Sequence, residues 1–282
     1  MKKTKVAFRF DIDTYKCLTE GTHNLAKMAE SQNVNFTFFC NFGRAIERVR
    51  SFRELWSDES RETALHLSAR RKLGTWGYVT TIVRNPRNKR YLAYLAELVD
   101  GGHEIGLHGG RNHANWARCQ HTWGLDYLLD EVTWGLRCLS AVDPSQQRFG
   151  FASPEWRSPP FLEDVLRELN FFYLADSHGV GWRHDPSSGL INIGTRGAIE
   201  PGGVAFFENC LARGLSARTA AHNLLENISA SPEDLYVVYD HPYFAGREGL
   251  DYVSTALNRV LESGFEVVTI REYLSQHAGK ST

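Results

Sequence analysis

The chain has 282 residues, 42% of them hydrophobic and 12% aromatic, enough to bury the core of one large α/β domain. Its charged residues nearly cancel to a net charge of −1, which excludes a strongly basic or acidic molecule-wide field and argues against nucleic acid as a partner. No apolar run reaches the about 7–15 residues of a signal peptide or the about 20 of a membrane helix, and the five cysteines (Cys17, Cys40, Cys119, Cys138, Cys210) are odd in number, widely spaced and without a CxxC pair. Reduced thiols and a cytoplasmic location are expected.

Residues 5–10 (KVAFRF) are rich in strand formers and run into Asp11-Ile12-Asp13-Thr14, so a strand is predicted to deliver two carboxylates into a loop. Residues 21–32 carry Leu25, Met28 and Ala29 at helical spacing, and 34–39 (VNFTFF) form a second strand. Residues 44–90 differ from the rest: twelve basic residues face five acidic ones, interleaved with Phe52, Trp56, Trp76 and Tyr78, which predicts an insertion of amphipathic helices and loop. Its basic and apolar faces suit a phosphate-bearing or lipid-linked partner and contact with a membrane surface; a solvated surface helix pair fits the same composition.

A helix over 91–100 stops at Gly101-Gly102, followed by the strand HEIGLH, a helix over about 122–140, and a helix from Phe161 to Leu169 opened by Pro159-Pro160. The strand FFYLADS, a Gly-, Pro- and Ser-rich loop (179–203), a helix at 216–228, the strand LYVVYDH, a helix (DYVSTALNRVLES) and the strand FEVVTI complete the chain. Strand and helix alternate without linker or repeat, so a single domain over 1–282 with a mostly parallel sheet or barrel is expected.

The notable polar residues fall at the C-terminal ends of predicted strands: Asp11 and Asp13 after VAFRF, His108 after EIGL, Arg157 after FASPEW, Asp176 after FFYL, His241 after YVVY. In parallel barrels the loops at that end build the active site. Asp11 and Asp13 are two apart on a strand and so share a face, where two carboxylates repel unless a cation or proton intervenes; a turn or helix cap is the plain alternative. His108 and His113 bracket Gly109-Gly110 and can converge on one ion through a tight turn, as two neutral imidazoles plus one carboxylate do in open catalytic metal sites. On spacing alone two ordinary loop histidines are the simpler account, since four apart is the usual helical ligand spacing. His241 could protonate a leaving group or be a satisfied core histidine, and Arg157 could grip a carboxylate with its two-pronged donor set or lie on the surface.

Taken in order, these segments resemble the polysaccharide deacetylases (NodB-like, carbohydrate esterase family 4). The resemblance rests on Phe10-Asp11-Ile12-Asp13, Thr37-Phe38-Phe39, Gly102-His103-Glu104-Ile105-Gly106-Leu107-His108 with His113 beyond, Arg157-Ser158-Pro159, Asp176, and Tyr239-Asp240-His241, and it spans roughly residues 5–275. Within that superfamily the chain is most similar to the deformylases of undecaprenyl-phosphate-linked 4-formamido-arabinose, through its FDIDT motif, its long segment before GHE and the stretch Ser68 to Gly77. Two departures stand out. The usual second motif is His-x-x-x-His, whereas Asn112 holds that position here and His113 follows. The Asp-Trp pair of the fourth motif is replaced by Asp176-Ser177, which leaves open what orients His241.

The resemblance implies a distorted (β/α)7-type barrel. It also implies a divalent metal, zinc with cobalt, nickel or manganese as alternatives, held by Asp13, His108 and His113. Asp11 is implied as general base, Arg157 as its partner, His241 as general acid, and Asp176 as a further catalytic-site residue. The implied substrate is an amino sugar carrying a formyl or acetyl group on nitrogen, phosphate- or polyprenyl-linked in the deformylase case. A cyclic imide or ureide hydrolase on the same fold and a metal-free sugar-binding module are the rival expectations.

Overall fold

The structure, a computed structural model, describes residues 4–45, 76, 77, 79, 88–185, 189–195 and 205–277. Most of the basic segment 44–90 therefore lies outside the described residues.

A nine-stranded sheet organises the chain. Its strands are β1 (Lys5–Ile12), β2 (Thr37–Cys40), β3 (Glu104–His108), β4 (Gly150–Ala152), β5 (Tyr173–His178), β6 (Trp182–His184), β7 (Ile191–Thr195), β8 (Leu235–Asp240) and β9 (Glu266–Val267). The spatial order is β6-β7-β5-β4-β3-β2-β1-β8, with β9 beside the start of β1. Every ladder from β7 to β8 is parallel, and only the β6–β7 hairpin is antiparallel. The two ends of the path meet: the Gly181 N–H donates to the Leu235 carbonyl at 3.2 Å. The sheet is thus a nearly closed barrel, as the sequence predicted.

Alternation along each strand separates two cores. Val6, Phe8, Phe10 and Ile12 of β1 pack outward with Phe36, Phe38, Leu107 and Val238 against the helices. Ala7 of β1 and Phe39, Ala152, Tyr173, Ala175, Ile193 and Val237 fill the interior. The outer layer includes α1 (His23–Ser31), α2 (Leu92–Asp100), α3 (His113–Cys119), α4 (Leu125–Val142), α5 (Leu162–Glu168), α6 (Phe206–Ala212), α7 (Ala217–Ser229), the single turn α8 (Pro242–Ala245), α9 (Leu250–Glu262) and α10 (Ile270–His277). Local chemistry sets several boundaries. Ser216 Oγ accepts the Thr219 N–H to start α7. Gly102, at φ +91, lets the chain reverse after α2 while its N–H reaches the Val99 carbonyl.

Two expectations are corrected, and one further feature is new. The segment 179–203, expected as loop, supplies β6 and β7; Ile191 and Ile193 point inward, but glycines and polar residues around them hide the short strands. FEVVTI pairs with β1 only through Glu266 and Val267, and Ile270 already opens α10. Ahead of α1, residues Cys17–Thr22 form a π-helical turn that the sequence pattern does not announce.

Candidate active site

Strand alternation carries Arg9, Asp11 and Asp13 along one face of β1 and Tyr239 and His241 along the same face of β8. Arg9 and Tyr239 are direct partners in the β1–β8 ladder. His108 ends β3 on the neighbouring side. At that end of the barrel Asp13 Oδ1 lies 3.2 Å from His108 Nε2 and 3.3 Å from His113 Nε2, and Asp13 Oδ2 lies 3.5 Å from His241 Nε2.

The two histidines five apart converge because of the turn between them. Gly109 sits at φ +76, and a Cβ on Gly110 would come within 2.7 Å of the Glu131 carbonyl oxygen, so neither position tolerates a side chain easily. Buried Glu131 accepts the Asn112 N–H at 2.8 Å, fixing the start of α3 so that His113, in its first turn, faces Asp13. The extra residue in the motif is absorbed by this loop, and His113 rather than Asn112 reaches the carboxylate. Trp116 on the same helix donates its indole N–H to the Arg157 carbonyl at 2.8 Å and so ties α3 to the loop after β4.

His108 Nδ1 donates to the Ala152 carbonyl at 3.0 Å, and its Nε2 faces Asp13. Burial alone would raise the Asp13 pKa, but hydrogen bonds from His108 and His113 outweigh it and hold the carboxylate well below its usual range. The His108 imidazole is correspondingly pushed up: burial would lower it, and Asp11 and Asp13 prevail. His113 is the anomaly. Its side chain is 13% exposed and Nε2 has Asp13 Oδ1 at 3.3 Å, while Nδ1 is buried without a hydrogen-bond partner, a costly state for a polar group. Asp13, His108 and His113 each offer a donor atom within 4.8 Å of the others. Two imidazole nitrogens and a carboxylate oxygen suit a divalent transition metal.

Asp11 is 1% exposed, and Arg9 grips it with two parallel hydrogen bonds, Nε to Oδ1 at 3.0 Å and Nη2 to Oδ2 at 2.9 Å. The guanidinium also donates to the Ala175 carbonyl and to Thr195 Oγ1, and stacks against Phe39, Trp156 and Tyr239. Burial opposes its charge, yet the adjoining Asp11 raises its pKa. The role expected of Arg157 thus falls to Arg9, while Arg157 itself is exposed. The reason is geometric: a residue two before Asp11 on the strand already shares its face. Asp176 serves the wall of the site. Its oxygens accept the Ser153 N–H and the Ser158 hydroxyl, both at 2.7 Å, pinning the loop in which Glu155 and Trp156 take positive φ. Trp156 stacks on His178, with centroids 4.9 Å apart, and meets Tyr239 edge-on.

A buried carboxylate stands near His241, where the missing Asp-Trp pair left the orienting group open. Glu208, 1% exposed at the start of α6, places Oε2 3.8 Å from His241 Nδ1. Asp240 braces this arrangement by accepting the N–H groups of Phe207, Glu208 and His241. Burial and the adjacent Glu208 push the Asp240 pKa up to about 7. On the other side of the ring the Tyr239 hydroxyl meets His241 Nε2 at 2.9 Å. Arg9, Glu208 and Tyr239 were not singled out from the sequence. A buried charge in the middle of a strand was the available signal for Arg9, and the same-face spacing to His241 for Tyr239; nothing in the sequence foretold Glu208.

No protein-family model matches the sequence. Solved structures do share the fold. A Mycobacterium smegmatis protein named as a polysaccharide deacetylase aligns over 100% of this chain and 92% of its own, with TM-score 0.63 and 17% identity. The Puue allantoinase aligns over 97% and 91%, at 0.61 and 10%. The Bc1960 peptidoglycan N-acetylglucosamine deacetylase aligns over 96% and 87%, at 0.54 and 15%. At these identities the likeness establishes the barrel fold.

Proposed function

We propose that the protein is a metal-dependent amide hydrolase that removes a formyl or acetyl group from the nitrogen of an amino sugar. The observation that carries this is the convergence of Asp13 Oδ1, His108 Nε2 and His113 Nε2, three donor atoms within 4.8 Å of one another. Asp13, His108 and His113 would hold a divalent cation, zinc or alternatively cobalt, nickel or manganese. Such an ion supplies Lewis-acid activation of water and polarisation of the amide carbonyl. Asp11, fixed through both oxygens by Arg9, takes the proton of the attacking water as general base. His241 protonates the departing amine, because an amide nitrogen leaves poorly without a proton. Glu208 steadies the Nδ1 side of that imidazole, and the loop pinned by Asp176 walls the cleft with Trp156.

The deacetylases among the fold neighbours support an N-acylated sugar as substrate. The sequence likeness to the formamido-arabinose deformylases favours formyl over acetyl. The basic residues of 44–90 suit a phosphate- or polyprenyl-linked sugar at a membrane surface; no helix among the described residues is long and apolar enough to cross a membrane. Flotation with anionic liposomes at low salt tests that last element, and absence of binding removes it. The central test is release of formate or acetate from N-acyl amino sugars by metal-loaded protein. Asp11→Asn should abolish turnover while metal binding persists; loss of both together would sink the base assignment.

A second reading, a cyclic imide or ureide hydrolase, stands beside this one because the allantoinase matches the barrel nearly as well as the deacetylase-named protein. A panel of small cyclic imides against N-acyl sugars separates the two.

A further inference from the structure

The loop that carries Asp13 and the turn that carries His241 meet backbone against backbone. Asp13 leads through Thr14 into the π-helical turn Cys17–Thr22. That turn is tied back to Thr14, whose hydroxyl accepts the Cys17 N–H and whose carbonyl accepts the Leu18 N–H, both at 3.2 Å. Inside it the Thr22 hydroxyl donates to the Cys17 carbonyl at 3.0 Å. On the other side His241 opens the single turn α8. Its carbonyl accepts the N–H groups of Phe244 and Ala245, and the Pro242 carbonyl accepts that of Gly246, so Gly246 is linked rigidly to His241. The two turns interlock at two glycines. A Cβ on Gly21 would overlap the Pro242 carbonyl, next to His241, and a Cβ on Gly246 would overlap the Gly21 carbonyl. Neither glycine has positive φ, and Gly246 lies at φ −91. What they supply is close approach, not an unusual backbone conformation. Asn24 of α1 fastens the joint by donating to the Gly246 carbonyl at 2.8 Å, and Arg247 spans it to Glu20 at 3.1 Å.

We propose that Gly21 and Gly246 are positioning residues whose reciprocal contact sets the distance of His241 from the Asp13 centre, and so the reach of its proton to the departing nitrogen. This rests on the general-acid role given to His241 above. The contact holds His241 Nε2 at 3.5 Å from Asp13 Oδ2. Asp13 has a second anchor, because Asn41 at the end of β2 donates to its carbonyl at 2.8 Å. Its partners His108 and His113 come from β3 and α3, away from the joint. A methyl group forced between the turns therefore displaces the acid and leaves the three ligand-type residues in place. A shift of about 1 Å caused far from the chemistry is enough to cost about 100-fold in rate.

The test compares two kinds of probe on the zinc-loaded full chain. N-formylglucosamine and N-acetylglucosamine release an amine that must be protonated to leave, whereas 4-nitrophenyl acetate releases a phenolate that needs no acid. Gly246→Ala should lower kcat on the amides by about 100-fold, while the ester rate and the bound zinc stay within about twofold of wild type. In a His241→Ala background the same substitution should change the amide rate by less than about twofold, because the acid it displaces is gone. If Gly246→Ala does not fold, Asn24→Ala loosens the same joint without a clash. It should cost about threefold on the amides and leave the ester rate unchanged. In whichever variant folds, an equal loss on amide and ester, an unaltered amide rate, or a loss that simply adds to that of His241→Ala overturns the proposal. Wild type that cleaves neither amide defeats the amide-hydrolase reading itself, whereas normal wild-type turnover with an unselective variant defeats only the role of the glycines.

Discussion

The two ends of the barrel each bury carboxylates among polar partners, and they differ in whether those partners are satisfied. At the N-terminal end of the strands, Glu104 is 1% exposed and accepts from the Thr37 hydroxyl at 2.8 Å, the Tyr173 hydroxyl at 2.6 Å and the Arg271 N–H at 2.9 Å. The Thr37 hydroxyl in turn accepts the Ile270 N–H, so α10 closes that end with its own backbone. At the C-terminal end, Asp11 is equally closed by Arg9, but Asp13 faces imidazoles whose lone pairs and protons do not resolve among themselves. There His113 and His108 both converge on the one Asp13 oxygen. Buried charge alone therefore does not mark function; the convergence of several ligand-type atoms at one point is the distinguishing feature of this end.

Breaking each end should produce different failures. The largest effect is expected from Arg9→Met, which leaves the Asp11 carboxylate buried without its cation. Stability should fall by about 3–5 kcal/mol, read as a lower urea midpoint with unchanged slope. Next, Asp13→Ala should weaken metal binding by more than about 100-fold, measured by equilibrium dialysis, without lowering the thermal midpoint of the metal-free protein. Glu104→Gln, at the closed end, should cost about 1–3 kcal/mol of stability and leave metal affinity unchanged; a change in affinity would show that the ends are not independent.

A smaller effect concerns pH. Asp240 is pushed up to about 7, by burial first and Glu208 second, so between its ordinary value near 4 and about pH 7 the folded state holds a proton that the unfolded state has lost. Stability contributed by this group is present at the acid end of that window and declines as pH rises through it. Glu208→Gln removes the second cause and should flatten the decline, seen by comparing urea midpoints at pH 5 and pH 8; an unchanged slope would count against Glu208–Asp240 repulsion. The smallest effect, within about 0.5 kcal/mol, is expected for Arg157→Ala, which sharpens the assignment of the Asp11 clamp to Arg9.

Much of the barrel was legible because period-two alternation and strand–helix succession survive in segments such as KVAFRF and LYVVYDH. β6 and β7 were not, since three- and five-residue strands between glycines carry too little pattern. The residues at the strand ends were legible by type, because Asp11, Asp13, His108 and His241 each follow an apolar run. Their partners were not, for distinct reasons. Arg9 sits inside a strand, where a charge is easily taken as solvent-facing. Glu208 belongs to α6, reached only after 25 residues or so of weakly patterned chain, and its pairing with His241 is purely tertiary. The five-residue spacing of His108 and His113 argued against a common ligand set until the Gly109-Gly110 turn and the Glu131 brace brought both rings to Asp13.

The most direct test of the central claim is the metal content of the purified protein by mass spectrometry, wild type beside His113→Ala. The account predicts about one divalent ion per chain in wild type and its loss in the variant. Absence of metal from wild type, even after incubation with zinc, cobalt or nickel, would contradict it.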